Sequence, residues 1–135
     1  MSTCLGQIYQ ESRKGIDSGY AKYETFPIWN LPLHHPVNLA YEAATADIGD
    51  YNTLDSYHKN AYDIESVNYN RDVEAFEIVM QLAKEFLPTE NATRSYASPT
   101  DMGINMAGYC ISDDIIVQKA SIAEISRRST WYGHL

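Results

Sequence analysis

The sequence predicts a mainly helical α/β fold with one short strand, its helices packed around a proline-rich loop. Three observations carry this. Apolar residues recur at helical spacing in several separate segments, an aromatic run without that period is fenced by glycine and proline, and a loop holding Pro27, Pro32 and Pro36 joins the two patterns. With 135 residues, 44% of them hydrophobic and 21% charged, the chain suits one domain over 1–135 with a modest core.

Taken in order, Ser2 or Thr3 caps a first helix whose Leu5, Ile8, Tyr9 and Ile16 face inward, and Gly15 or Gly19 ends it. Tyr20 to Phe26 is the short strand, bounded by Gly19 and Pro27. Each proline biases its predecessor toward extended geometry, so Ile28 to His35 runs as an ordered connector anchored by Trp29 and Leu33. Pro36 fits the first turn of a helix, where its missing N–H is no loss. Val37, Ala40, Tyr41, Ala44 and Ile48 then form one apolar stripe, stopped by Gly49, and the small side chains predict a close-packed neighbour. Opposite lies a polar row of Asn38, Glu42 and Thr45.

Asp50 to Val67 reads as a long polar connection with a weak helical signal over Leu54 to Tyr62. Asn70 is an N-cap for the clearest helix, in which Val73, Phe76, Met80, Ala83 and Leu87 repeat on one face, widened by Val79, Leu82 and Phe86, before Pro88 closes it. Ser98-Pro99-Thr100-Asp101 predicts another capped helix with Met102, Met106 and Tyr109 inside. A last helix starts near Ser112, with Asp113 and Asp114 at its positive end, Arg127 and Arg128 toward its negative end, and Ile116, Ala120 and Ala123 along one side.

Composition excludes several functions. A net charge of −8 with only ten scattered Lys and Arg argues against nucleic acid as a partner. No apolar run approaches the roughly 20 residues that span a bilayer, and no basic flank leads into an apolar core, so no membrane partner and a cytoplasmic location are expected. Cys4 and Cys110 match no metal spacing and read as reduced and packed. Asn91-Ala92-Thr93 is most simply a polar turn.

The candidate site residues are Asn38, Glu42, Arg71, Asp101 and Asn105. Arg71, in the polar word Asn68-Tyr69-Asn70-Arg71-Asp72, suits bidentate capture of an anion, and a helix cap with an ion pair from Arg71 to Glu74 or Glu77 explains it equally. Asp101, among Ser98, Thr100, Gly103 and Gly108, suits a magnesium ion or a ligand amine, while a capping box alone accounts for the same residues. Asn38 and Glu42 matter because they follow the proline-rich loop, although such a row is more often a wetted face. His34, His35 and His58 have no metal-ligand spacing, and no Gly-x-Ser-x-Gly is present, so neither a metal nor a catalytic residue is assigned. A small anionic or nucleotide ligand and a homo-oligomer stay open as partners, and no cofactor is specified.

The words TFPIWNLPLHHPVNLAYEAATADI, VNYNRDVE, SPTDMGINMAGYCI and EISRR together resemble the bacterial family known as domain of unknown function 1846, or uncharacterised protein family 0371. The resemblance runs from Thr3 to about Arg128, with Ser129 to Leu135 leaving the pattern and Ala97 standing where the family is expected to carry lysine. It implies a mainly helical fragment of a longer protein, beginning just after a glycine-rich, phosphate-loop-like stretch whose cradle lies before Met1. The function it implies is the ligand-lining, supporting part of a cytoplasmic nucleotide- or phosphate-handling enzyme, inactive in isolation. The competing expectation is a non-catalytic helical module that mediates assembly.

Overall fold

Helix dominates the computed structural model, which describes residues 2–133 without the side chains of Ser2 and Thr3. In chain order the elements are α1 (Ser2–Arg13), β1 (Lys22–Tyr23), α2 (Pro36–Ala44), β2 (Asn52–Leu54), α3 (Ser56–Tyr62), β3 (Val67–Tyr69), α4 (Asn70–Phe86), β4 (Gly103–Ile104) and α5 (Asp114–Gly133). Single 3-10 turns fall at Ala46–Ile48, Ala92–Ser95, Thr100–Met102 and Ala107–Cys110. Strand β1 runs parallel to β4, with Lys22 opposite Gly103 and Tyr23 opposite Ile104. Strands β2 and β3 form an antiparallel pair, Asn52 opposite Tyr69 and Leu54 opposite Val67.

The mainly helical α/β class therefore holds, with four short strands where the sequence suggested one. The additional strands are two or three residues long, too short to establish an alternating pattern, and polar residues such as Asn52 and Asn68 are the buried ones. Residues 98–110 differ most from expectation. In place of a capped α-helix there is a 3-10 turn, strand β4 and a second 3-10 turn. Gly103 explains why. It lies extended against Lys22, and a Cβ there would sit 2.6 Å from the Trp29 ring, so the missing side chain lets the indole pack onto the strand. Only Met102 of the expected inner face is buried; Met106 and Tyr109 are exposed.

The core gathers on α4, where Phe76, Val79, Met80, Ala83 and Leu87 are buried as their spacing requires. Leu5 and Ile8 of α1, Tyr20 and Met102 pack against them. Ile16, expected inside, lies beyond the end of α1 and is exposed. The caps expected of Ser2 or Thr3 fall on side chains outside the described residues. Although α4 begins at Asn70, that side chain does not cap it: its Oδ1 accepts a hydrogen bond from the Tyr51 N–H at 3.1 Å.

Helix α2 starts as predicted, with Pro36 in the first turn and the His35 ring accepting from the Val37 N–H at 3.2 Å. Gly49, at φ 74°, closes the 3-10 turn that follows. The neighbour required by its small residues is α5, which packs along it and is tied to it by His35 Nε2 and Asp114 Oδ1 at 2.8 Å. Of the face expected on α5, Ala120 borders α2, whereas Ile116 is exposed and the buried residue is Ser121. Both cysteines are exposed, contrary to expectation. The connector is anchored by the buried Pro27 and Ile28, with Trp29 half-buried beside them.

Candidate functional site

Period-two alternation along β1 places Lys22 and Glu24 on the same side of the strand, either side of the exposed Tyr23. The Glu24 N–H extends the parallel ladder by donating to the Ile104 carbonyl at 2.9 Å. On that side the Lys22 Nζ meets Glu24 Oε1 at 2.8 Å and is also held by Asp72, from the first turn of α4. Just past β4, Asn105 donates its Nδ2 to the Pro27 carbonyl at 2.6 Å, fixing the start of the proline-rich connector at the same strand ends. The Tyr69 hydroxyl donates to the Phe26 carbonyl at 2.6 Å and meets the Tyr41 hydroxyl at 2.5 Å, while the Phe26 and Tyr41 rings stack.

The electrostatics follow from burial. The Glu24 side chain is only 8% exposed. Desolvation pushes its carboxyl above the ordinary range, Lys22 pulls it back, and the Asp72 charge adds to the upward push. Burial also works against the Lys22 ammonium, but its bonds to Asp72 and Glu24 outweigh that and raise its pKa. The Tyr69 phenol is driven far upward by burial and by Tyr41. Asn105 Oδ1 is buried without a hydrogen-bond partner, while the buried Glu24 carboxylate has the Trp29 indole N–H beside it, which helps to hold its pKa down. Strand ends with one lysine, two carboxylates and one unsatisfied amide oxygen can hold a polar ligand and exchange a proton with it.

A second polar assembly lies where α3 meets residues 98–101. The buried Asp55 carboxylate accepts from the Thr100 N–H at 3.1 Å, the Thr100 hydroxyl at 2.6 Å and the His58 N–H at 3.1 Å. Ser66 and Asn68 reach the same Thr100 hydroxyl. His58 Nδ1 lies 2.8 Å from Ser98 Oγ and 3.9 Å from Asp101 Oδ1. Both contacts fall on one ring nitrogen and Ser98 is fully buried, so this is not a nucleophile with its relay. It is a satisfied network joining distant segments.

The sequence pattern described as "Domain of unknown function DUF1846, N-terminal" matches residues 1–133. The chain belongs to that family. The match continues past Arg128, where the resemblance was expected to stop. Among DUF1846 relatives, a UPF0371 protein of Corynebacterium diphtheriae is 56% identical over 128 residues, covering 95% of this chain and 25% of the relative. A UPF0371 protein of Streptococcus thermophilus is 53% identical over the same length, with the same shares. The chain thus spans about a quarter of the length of the curated relatives it matches. Their names assign no activity.

The DUF1846 fold distributes the five sequence-derived candidates unevenly. Asn38 is fully buried and brackets the connector, accepting from the Ile28 N–H at 2.7 Å and donating to the Ile28 and Pro32 carbonyls at 3.2 Å. Asn105 holds the adjacent Pro27, so these two do come together on one loop. Glu42 accepts from the Asn52 N–H at 3.1 Å, and Asn52 in turn donates to the Asn38 carbonyl. Arg71 lies apart. It pairs with Asp50 at 2.8 Å and with the Ile48 carbonyl, rather than with Glu74 or Glu77. Asp101 accepts from the Tyr62 hydroxyl at 2.7 Å and the Ala97 N–H at 3.0 Å, while Ser98 accepts from the Asp101 N–H, a capping box shifted by one residue. Asn91 caps the turn at Ala92–Ser95 through the Thr93 N–H, as its polar-turn reading requires. Missed by the sequence reasoning were Lys22, Glu24, Trp29, Asp72 and Asp55. The alternation Lys22-Tyr23-Glu24 inside a recognised strand was the available signal for the first two.

Proposed function

We propose that this chain lines the ligand site of a cytoplasmic nucleotide- or phosphate-handling protein, with Lys22, Glu24 and Asp72 as its polar centre and Asn38 and Asn105 holding the adjoining connector. The observation that carries this reading is Glu24: a carboxylate removed from water, shared between Lys22 and the Trp29 indole N–H, just beyond the carboxyl end of a parallel strand. Ligands of parallel α/β folds bind outside the carboxyl ends of the strands. Lys22 is the phosphate contact, and Glu24 with Asp72 orients a hydrated magnesium ion or a substrate hydroxyl, since magnesium is commonly held by one or two carboxylates plus substrate phosphates. The glycine-rich stretch that the resemblance implies ahead of α1 is the second support for the phosphate class. Tyr20, two residues before Lys22, packs against Ile8 of α1 and against Ala83 and Leu87 at the end of α4, and so connects α1 to the site.

Titration calorimetry of ATP with magnesium, and of inorganic phosphate, into the intact Corynebacterium diphtheriae relative tests the class, and hydrogen exchange with and without ligand tests the place. Binding is expected, with protection in the peptides aligned with residues 20–29 and 70–76. Absence of binding by either ligand removes the function, whereas binding without protection there moves the site elsewhere. The assembly reading is favoured by the exposed Ile115, Ile116, Ile122 and Trp131 of α5, and a concentration-dependent oligomer of this chain would support it.

A further inference from the structure

A groove of about 290 Å³ runs between α1 and α4, away from the strand ends, lined by Leu5, Gly6, Tyr9, Leu82, Phe86 and Leu87. On α4 the stripe Ile78, Leu82, Phe86 recurs every four residues, and these side chains are 61%, 42% and 52% exposed. Tyr9 and Phe86 meet edge to face across the groove with centroids 6.0 Å apart. Gly6 adds to the opening, because a Cβ built there would meet nothing within 4 Å. Scattered apolar residues on a surface need no explanation, but a contiguous concave set built by two helices marks a docking surface.

We propose that the α1–α4 groove seats an apolar helix or strand from the remainder of the DUF1846-family polypeptide, the three quarters of the relatives' length that has no counterpart in these 135 residues. The length of the relatives selects that occupant. The matched relatives continue as one polypeptide over about four times the length covered by this chain, so a tethered partner is at hand at high effective concentration. Charge does not separate that occupant from a second copy, because the groove border is mixed: Glu74, Glu77 and Glu85 flank the α4 stripe, with Lys84 among them and Arg13 over the Tyr9 ring at 5.9 Å, so the experiment decides between the two. The tethered segment fills the groove with apolar side chains.

The test compares carbene footprinting of this chain with that of the intact Corynebacterium diphtheriae relative. The peptide covering residues 78–86 labels strongly in this chain at any protein concentration, and the aligned peptide of the relative labels at least fivefold less. Equal labelling in the two proteins overturns the proposal. So does labelling of this chain that falls as its concentration rises and is restored by Leu82→Glu, which would make a second copy the occupant. The exposed stretch 115–122 of α5 serves as an internal comparison: protection there with none at 78–86 would put the interface on α5 and also overturn the proposal.

Discussion

Replacing Gly103 by alanine isolates the contact that shapes the strand ends. The residue sits at φ −133°, a conformation open to any amino acid, so the effect is steric and not conformational. The new methyl carbon would lie 2.6 Å from Trp29 Cη2, 3.1 Å from Cζ2 and 3.0 Å from the Lys22 carbonyl oxygen. Neither neighbour yields easily, since the ring is packed and the carbonyl belongs to the paired strand. Overpacking of this kind costs about 1–3 kcal/mol, against which the stiffer unfolded chain of alanine returns about 0.4–1 kcal/mol. A net loss of about 1–2 kcal/mol is expected, or a fall of roughly 4–8 °C in melting temperature for a chain of this size. Urea and thermal unfolding of Gly103→Ala, with Gly6→Ala as the uncrowded comparison, measure it. Trp29→Phe, which removes both crowded ring atoms, must then couple with Gly103→Ala by about 1 kcal/mol or more in the relieving direction. A Gly103→Ala protein as stable as the parent, or a cycle without coupling, refutes the packing argument.

Asn38→Ala strips the buried Ile28 N–H of its acceptor and frees two carbonyls, so urea unfolding should show a loss of about 3 kcal/mol; a loss below about 1 kcal/mol would mean that the connector is held by other contacts. Lys22 and Tyr69 both hold their protons more tightly folded than unfolded, so the native state binds more protons in alkali. Their contribution is complete below about pH 10 and is lost as pH climbs past it, and Tyr69→Phe should flatten that decline in denaturation curves collected across the range. Both cysteines should react with a thiol reagent in native buffer, two equivalents per chain, whereas one or none would contradict their exposure.

Legibility followed the length of the pattern. Helix α4 and the proline start of α2 were readable because apolar period and local chemistry agree over several turns. Residues 98–110 were not, because capping-box chemistry is local and the deciding event, Trp29 lying over Gly103, involves a residue more than seventy positions away. The same holds for Asn70, which fits a cap in isolation but is taken by the Tyr51 backbone. On α5 the Ile116, Ala120, Ala123 stripe is real as sequence, yet the chain packs Ser121 inward. Among the candidate residues, Asn38 was found by its place after the proline-rich loop, and Asn105 only as part of the segment 98–105. Glu24 escaped because it lies one residue past a two-residue strand, where a three-residue alternation is too short a signal to mark a site.

The parallel pairing of β1 with β4 carries a consequence for biosynthesis. Lys22 leaves the ribosome long before Gly103, its partner, and every helix from α2 to α4 is synthesised in between. A nascent chain can build its α4 core and the Asn38 clamp early, but the β1–β4 pairing and the Asn105 bond to Pro27 wait until Gly103 to Asn105 arrive, since closing so long a loop precedes the contacts that reward it. A product halted before that point would keep much of its helix and none of the β1–β4 pairing.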